Sequence, residues 1–474
     1  MKQTVTEKVR EHFNNFASTR RYWKQKSKYY HLLIETFYKF VIPRKKRVLE
    51  IGCGTADLLK SVDPSYGVGI DIAENLIIIA KKKYPSLNFL PMDAHNLSLK
   101  EKFDYVVLTD MIGNLEDVQK AFGELHKVSN ENTRIVISYY NTLWEPLLSL
   151  AEKFGLKMPQ PTQNWLSHDD IQNLLNLANF DIIKKGTFVL FPIYIPIISD
   201  FINKVIARLP IIKYTCLVQY FVARQMPHPH SDKDYSVSLI IPARNEAGNI
   251  ENIITQIPSL GTKMEYIFVE GHSKDDTRKD IRKAIEKYKG KKDITLIEQK
   301  NGVGKADAVR RGFNVAKNEI CIIFDADLTV PPNDLPKFYH AVRTRKGELV
   351  DGSRLVYPME RQAMRFLNIL GNKFFSIAFS WLLDQPIKDT LCGTKALFRE
   401  TYKEIRKNRS YFGDFDPFGD YDLVFGASKL NLKIIEIPIR YRARSYGASN
   451  ISRFTHGWLL LRMTLIAAKK LKFV

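Results

Sequence analysis

Cysteine is scarce in this chain. Four occur in 474 residues, at positions 53, 216, 321 and 392, and no two form a C-x-x-C pair. That spacing excludes a zinc-ribbon site or a disulfide framework and suits a reducing compartment. Long apolar runs are also missing. No stretch reaches the roughly 18 uninterrupted apolar residues expected of a membrane-spanning helix. Residues 1–8 hold no apolar signal core, so no export signal is expected. Acids are in deficit, with 51 Asp and Glu against 72 Lys and Arg, for a net charge of +21. Such a balance implies a negatively charged partner: nucleic acid, anionic headgroups or phosphorylated substrates. Nucleic-acid motifs are absent and the charge is spread along the sequence, so no nucleic-acid partner is expected.

The length calls for two to four domains, and a 45% hydrophobic share lets each bury a core. The expected fold class is α/β, with two Rossmann-like domains. Residues 1–40 show a helical rhythm of aromatic and basic residues without visible chemistry. Residues 47–51 read as a strand, followed by Gly52 and Gly54 and by a helix starting near Ala56. Glycines there permit a tight turn and a close backbone approach to a cofactor. Strands are expected at 66–70, 87–92, 103–108 and 134–139, a helix over 118–128, and a last strand of this domain at 217–224. Asp71 and Asp93 follow the second and third strands, where an acid can grip ribose hydroxyls.

A dinucleotide fingerprint would need glycine at the position of Asp57. The pattern Glu50-x-Gly52-x-Gly54-x-Ala56 instead resembles motif I of class I S-adenosylmethionine-dependent methyltransferases, over roughly residues 40–224. The resemblance implies S-adenosylmethionine as cofactor, with Glu50, Gly52 and Gly54 on its methionine side. It implies Asp71 at the ribose and Asp93 with Ala94 at the adenine. No Asn-Pro-Pro-Tyr motif for base amino groups is present. Asp110 lies where acceptors often approach, and equally suits a cap or turn. His95 and His126 read as surface or cap histidines. The unusually apolar segment 188–208 suggests contact with lipid or with the partner domain, or a lid. Ala56 and the missing acceptor motif also leave an inactive scaffold open.

Residues 225–235 are polar and Pro-containing and read as a linker, with His228 and His230 solvated. Domains 1–224 and 236–445 flank it. In the second, a strand at 236–241 leads into Pro242-Ala-Arg-Asn-Glu246, and one at 264–269 into Glu270-Gly271-His272-Ser273. A loop holding Gly304 and Lys305 follows. An apolar run then ends in Asp325-Ala326-Asp327. Two carboxylates at a strand end suit a hard divalent cation that also grips phosphates.

Together with Asp351-Gly-Ser-Arg354, Asp389-Thr-Leu-Cys-Gly and Arg444-Ser-Tyr-Gly-Ala-Ser, this ordered series resembles family 2 glycosyltransferases of the GT-A fold. Its likeness is to the dolichyl- or polyprenyl-phosphate mannosyltransferase branch, over residues 236–445. The resemblance implies a nucleotide-sugar donor, with Pro242, Glu246 and Glu270 facing the nucleotide and Gly304 and Lys305 flanking it. It implies Mg²⁺ or Mn²⁺ on Asp325 and Asp327, and Asp389 as an acidic site residue. Arg354 and Arg444 would meet a phosphate acceptor, with Arg361, Arg365 and Arg442 nearby. A phosphate needs cations to orient it and no general base, and arginine suits its geometry. A hydroxyl acceptor would need a base, which Asp420 or Asp422 could supply. The family's Asp-Asp-Gly-Ser is replaced by Glu270 to Ser273 and its frequent Lys by Asn450, so uracil and guanine both remain open.

Phe366–Leu383 has apolar residues at helical spacing, for core packing or an interface. Residues 446–474, with Trp458 and a Lys-rich end, read as an amphipathic tail. With the basic charge, this implies a cytoplasmic protein held peripherally on the inner face of a membrane. The expected function is a bifunctional transferase, moving sugar to a lipid-phosphate acceptor and methyl groups in the same glycoconjugate pathway. The alternatives are glycosyl transfer to a saccharide or protein hydroxyl, and a basic nucleic-acid-binding methyltransferase.

Overall fold

The computed structural model describes residues 3–227, 233–302, 304–357, 366–412, 416, 419, 421–442, 444, 446 and 453–473. Arg361, Arg365 and Asp420, expected at a site, lie outside the described residues, as do His228, His230 and Asn450. The chain divides between Met226 and Pro227 into two compact units. Each is built on a seven-stranded mixed sheet with helices.

Three helices open the first unit: α1 (Val5–Phe16), α2 (Arg20–Lys26) and α3 (Lys28–Val41). A capping box of Thr4 and Glu7 starts α1. The strands are β1 (Arg47–Ile51), β2 (Tyr66–Asp71), β3 (Asn88–Pro91), β4 (Tyr105–Thr109), β5 (Arg134–Tyr140), β6 (Phe180–Phe188) and β7 (Val218–Gln225). Their order is β3-β2-β1-β4-β5-β7-β6. The first five run parallel, and β7 is antiparallel to both β5 and β6. The parallel strands read as near-continuous apolar runs because both sheet faces are covered. Strand β6 escapes a pattern search for physical reasons. It is an edge strand, carries Lys184 and Lys185, and has a register shift between Ile182 and Lys184. The expected helix over 118–128 is split, with an α-helix at Val118–Glu124 and a 3₁₀ turn at Leu125–Lys127. The helix after β1, α4 (Asp57–Ser61), is a short one.

The second unit holds β8 (Val237–Ala243), β9 (Met264–Glu270), β10 (Asp293–Glu298), β11 (Ile320–Ile323), β12 (Leu349–Ser353), β13 (Lys395–Phe398) and β14 (Ile434–Pro438). The order is β10-β9-β8-β11-β13-β12-β14, with β13 antiparallel to both its neighbours. The order reverses beside β8 and β11, and ligands in open α/β sheets gather at such switch points. Asp325 and Asp327 follow β11 there, and Glu246 follows β8. Helix Phe366–Leu383 packs on helix Arg453–Leu471. The latter buries Leu460, Met463 and Ala467 and exposes Trp458, Arg462, Leu465 and Lys469 along one stripe. Among the described residues no helix is long and apolar enough to cross a membrane.

Candidate active sites

In the first unit a cavity of about 650 Å³ is lined by residues at the carboxyl ends of β1, β2 and β4. Gly52 and Gly54 adopt left-handed φ values of 73° and 53°, and Gly54 has open space where a Cβ would stand. Ala56 is left-handed too, at φ 59°. Asp71 is buried against this turn. Its carboxylate accepts from the backbone N–H groups of Gly54 (2.8 Å) and Ala73 (2.9 Å). Burial raises its pKa, and those donors oppose the rise. Asp93 and Ala94 line the same cavity. Asp93 Oδ1 meets His95 Nδ1 at 2.7 Å, and His95 Nε2 accepts from the Asp117 N–H at 3.1 Å. That acceptance assigns the proton to Nδ1, so His95 is a fixed wall residue and not a loose surface histidine.

Glu50 sits at the end of β1, behind the glycine turn. Expected beside the methionine end, it is buried and its Oε2 accepts from Leu59 N–H of α4 at 3.0 Å. Burial pushes its pKa to about 8, against the pull of Lys24.

Chemistry also comes from the N-terminal helices, where the sequence showed none. Arg20, Lys24, Tyr30 and His31 line the cavity. Lys24 pairs with Asp57 at 2.7 Å, and Asp57 also accepts from Tyr84 Oη at 2.7 Å. Arg20 Nε is buried with no hydrogen-bond partner among the described residues. An unpartnered guanidinium N–H, an open glycine turn and a buried acid fit a small zwitterion with ribose hydroxyls, such as S-adenosylmethionine. Asp110 closes the far side. Tyr30 Oη donates to its Oδ2 at 2.7 Å, while Oδ1 is buried without a partner among the described residues. Burial raises the Asp110 pKa to about 6, opposed by the Tyr30 bond and by Lys157 and Arg20. The carboxylate of Asp110 is thus available at neutral pH.

In the second unit, acids and cations interleave. Lys305 Nζ meets Asp325 Oδ1 at 2.7 Å. Arg444 reaches Asp327 Oδ2 at 2.8 Å and Glu246 Oε1 at 3.3 Å. Arg444, expected to meet an acceptor phosphate, bridges these two acids. Asp327 Oδ1 also accepts from Thr329 N–H (3.1 Å) and Oγ1 (2.7 Å), which aims Oδ2. Burial lifts the Glu246 pKa to about 7, resisted by Asn249 and Arg444. Gly304 begins its helix at φ 87°, beside open space. Pro242 lies within β8. Among the described residues no cluster of three or more His, Cys, Asp and Glu could hold a metal. The pair Asp325 and Asp327 fits a cation that takes its remaining ligands from phosphate and water.

Four expected site residues, Glu270, Arg354, Asp389 and Asp422, have protein partners of their own. Glu270 is buried; its Oε1 accepts from Ser273 N–H at 2.5 Å and its Oε2 from Arg278 at 3.1 Å. It closes the loop from Glu270 to Ser273. Arg354 and Asp389 grip each other bidentately at 2.6 and 2.8 Å, with Asn372 Nδ2 on Asp389 at 2.9 Å. Burial opposes ionisation of Asp389, yet the Arg354 charge and these bonds hold its pKa at about 2. Asp422 is held by Arg310 (3.3 Å) and Arg409 (3.0 Å), so it is not a free base. Arg442 is tied through its backbone to Thr329. Sequence reasoning missed the buried Lys395–Asp351 pair at 2.7 Å, since neither residue's motif hints at its partner.

These two crevices belong to two transferase domains. Residues 22–185 match the methyltransferase domain family, and residues 238–406 match glycosyl transferase family 2. The chain therefore joins a methyltransferase domain to a family 2 glycosyltransferase domain. It is 28% identical to a dolichol-phosphate mannosyltransferase of Pyrococcus furiosus, over 45% of this chain and 59% of that one. It is 29% identical to a dolichyl-phosphate β-glucosyltransferase of Dictyostelium discoideum, over 43% and 66%. Among solved structures, it is similar to a possible histamine N-methyltransferase of Thermotoga maritima. That match has 16% identity, covers 46% and 99% of the two chains and has a TM-score of 0.37.

Proposed function

We propose that the chain is a bifunctional transferase. On this reading, residues 236–445 move a sugar from a nucleotide-sugar to a polyprenyl-phosphate-like acceptor, and residues 1–224 transfer methyl groups in the same glycoconjugate pathway. The observation that carries it is the cluster of Asp325, Asp327, Lys305, Glu246 and Arg444 at the β8/β11 switch. Asp325 and Asp327 would hold Mg²⁺ or Mn²⁺, which supplies positive charge against a diphosphate leaving group. Lys305 and Arg444, each paired to a carboxylate of this cluster, would trade it for phosphate. The similarity to polyprenyl-phosphate sugar transferases supports a lipid-phosphate acceptor.

Gly52, Gly54, Asp71, Asp93, Ala94 and Arg20 would hold S-adenosylmethionine, which supplies an electrophilic methyl group. The exposed face of Trp458, Leu465, Phe374 and Ile377, mixed with Lys373, Arg462 and Lys469, suits attachment to an anionic cytoplasmic leaflet. Residues 446–474 would serve as that attachment.

The test is a screen of radiolabelled nucleotide-sugars against polyprenyl phosphate, with and without Mn²⁺. Lipid-extractable label that depends on the metal is expected. Asp327→Ala should remove it while calorimetry still reports S-adenosylmethionine binding. Label that persists in Asp327→Ala would refute the metal role.

A further inference from the structure

In segment 189–216 of the first unit, two polar side chains lie buried beneath several outward-facing isoleucines. Ser199 and Asn203 are 0% and 5% exposed, whereas Ile197 and Ile211 are 84% and 86% exposed. Polar side chains normally face water and isoleucine the core. Here the polar ones are fully occupied beneath the surface. Ser199 Oγ accepts from Ile195 N–H and donates to Ile193 O, both at 2.7 Å. Asn203 Oδ1 accepts from the N–H groups of Leu190 and Phe191, and its Nδ2 donates to Phe191 O and to Tyr29 Oη. Tyr29 in turn donates to Asp200 at 3.0 Å. The loop is thus a built platform. Ile193, Ile195, Ile197, Ile198 and Phe201 are held outward, and Ile197 keeps a left-handed φ of 68° that β-branched residues avoid.

A second apolar rim adjoins it. Leu143, Leu147, Leu150 and Phe154, in and beside helix Glu145–Lys153, are exposed as well. Trp144 Nε1 donates to Thr215 O at 2.8 Å and Asn141 Nδ2 to Tyr214 O at 3.0 Å, which joins the two rims. Both rims supply walls of the 650 Å³ cavity, through Leu147, Leu148 and Leu156 on one side and Pro192, Ile193 and Tyr194 on the other. The patch therefore continues into the site whose far wall holds Asp110.

We infer that this face seats the methyltransferase domain on an anionic lipid surface, and that its methyl acceptor is a hydroxyl-bearing amphiphile entering from that surface. The chemistry of the face selects this occupant. Lys204, Arg208 and Lys213 lie along the segment against a single acid, Asp200. Tyr194 and Tyr214 are exposed among the aliphatics, a mix that belongs at a headgroup boundary. A second copy would set like charges together and cover the cavity mouth. In the transfer, the acceptor oxygen forms a bond to the methyl carbon as the carbon–sulfur bond breaks. That electron pair stays on sulfur, and the hydroxyl proton goes to Asp110 Oδ1. The acceptor half rests on the methyltransferase reading above; the lipid contact does not.

The experiment uses the full chain and vesicles of phosphatidylcholine with phosphatidylglycerol. Ile197→Ser/Phe201→Ser/Ile211→Ser should weaken vesicle binding about tenfold or more, with S-adenosylmethionine binding unchanged by calorimetry. Unaltered vesicle binding overturns the surface, as does a wild-type dimer in sedimentation velocity that this variant abolishes. Should the variant not fold, Tyr214→Trp gives a second reading: brominated acyl chains should quench it beyond the quenching of the parent chain's own five tryptophans, and no added quenching overturns the contact. For the acceptor, tritium from methyl-labelled S-adenosylmethionine should enter the organic phase of a total lipid extract in wild type and not in Asp110→Asn. No organic-phase label, with cofactor binding intact, overturns the acceptor class alone.

Discussion

Arg354 and Asp389 illustrate how far a residue's role depends on its neighbours. The resemblance made Asp389 an acidic site residue and Arg354 a phosphate contact, and the fold pairs them in a buried bidentate bridge. Removing one partner leaves a buried charge uncompensated, which costs roughly 3–5 kcal/mol. Arg354→Ala should therefore lower stability by about that much in thermal or denaturant unfolding, before any effect on transfer is read. Glu50 is shifted in the opposite direction to Asp389. Its folded pKa, near 8, stands above the ordinary carboxylate value. Stability from keeping it protonated is full below the unfolded pKa, and is lost as pH rises through about 8. Glu50→Gln should flatten that decline across pH 5–8 in denaturant titrations, while cofactor binding persists. Legibility in the sequence was good for the strand-end positions of Gly52, Gly54, Asp71, Asp325 and Asp327, which follow from local pattern. It was poor for the hydrogen-bond partners of Glu50, Glu270, Arg354 and Asp389, which lie up to 35 residues away.

At the scale of elements, strands proved easier to read than helices. Parallel strands announce themselves because both faces are buried, whereas β6 is an edge with two lysines and a bulge. The helices α2 and α3 carried no motif, yet they deliver Arg20, Lys24, Tyr30 and His31 to the cavity. The paired helices Phe366–Leu383 and Arg453–Leu471 share their burial and leave aromatic and aliphatic side chains exposed with lysine and arginine. Phe374→Ser/Trp458→Ser should weaken binding to anionic vesicles by severalfold and leave donor binding intact. Loss of donor binding in that variant would assign the helix pair to the glycosyl site's support instead.

For the whole molecule, two separate cores predict two separable ligand responses. S-adenosylmethionine at about 100 times its Kd should stabilise one unit by roughly 2.7 kcal/mol. A nucleoside diphosphate with Mn²⁺ should stabilise the other. Calorimetric traces in which either ligand shifts every transition equally would contradict independent domains. The net charge of +21 adds a common salt dependence to every lipid-binding measurement.

The sequence by itself determined the two α/β domains, the glycine turn after β1 and the carboxylate pair after β11. These depend on local backbone demands and on apolar periodicity, which are written in neighbouring residues. Only the tertiary structure decided that Arg444 bridges Glu246 and Asp327, that Arg20 and Asp110 face one cavity, and that segment 189–216 turns its isoleucines outward. Those facts depend on which distant groups satisfy one another's hydrogen bonds and charges. No local pattern carries that information.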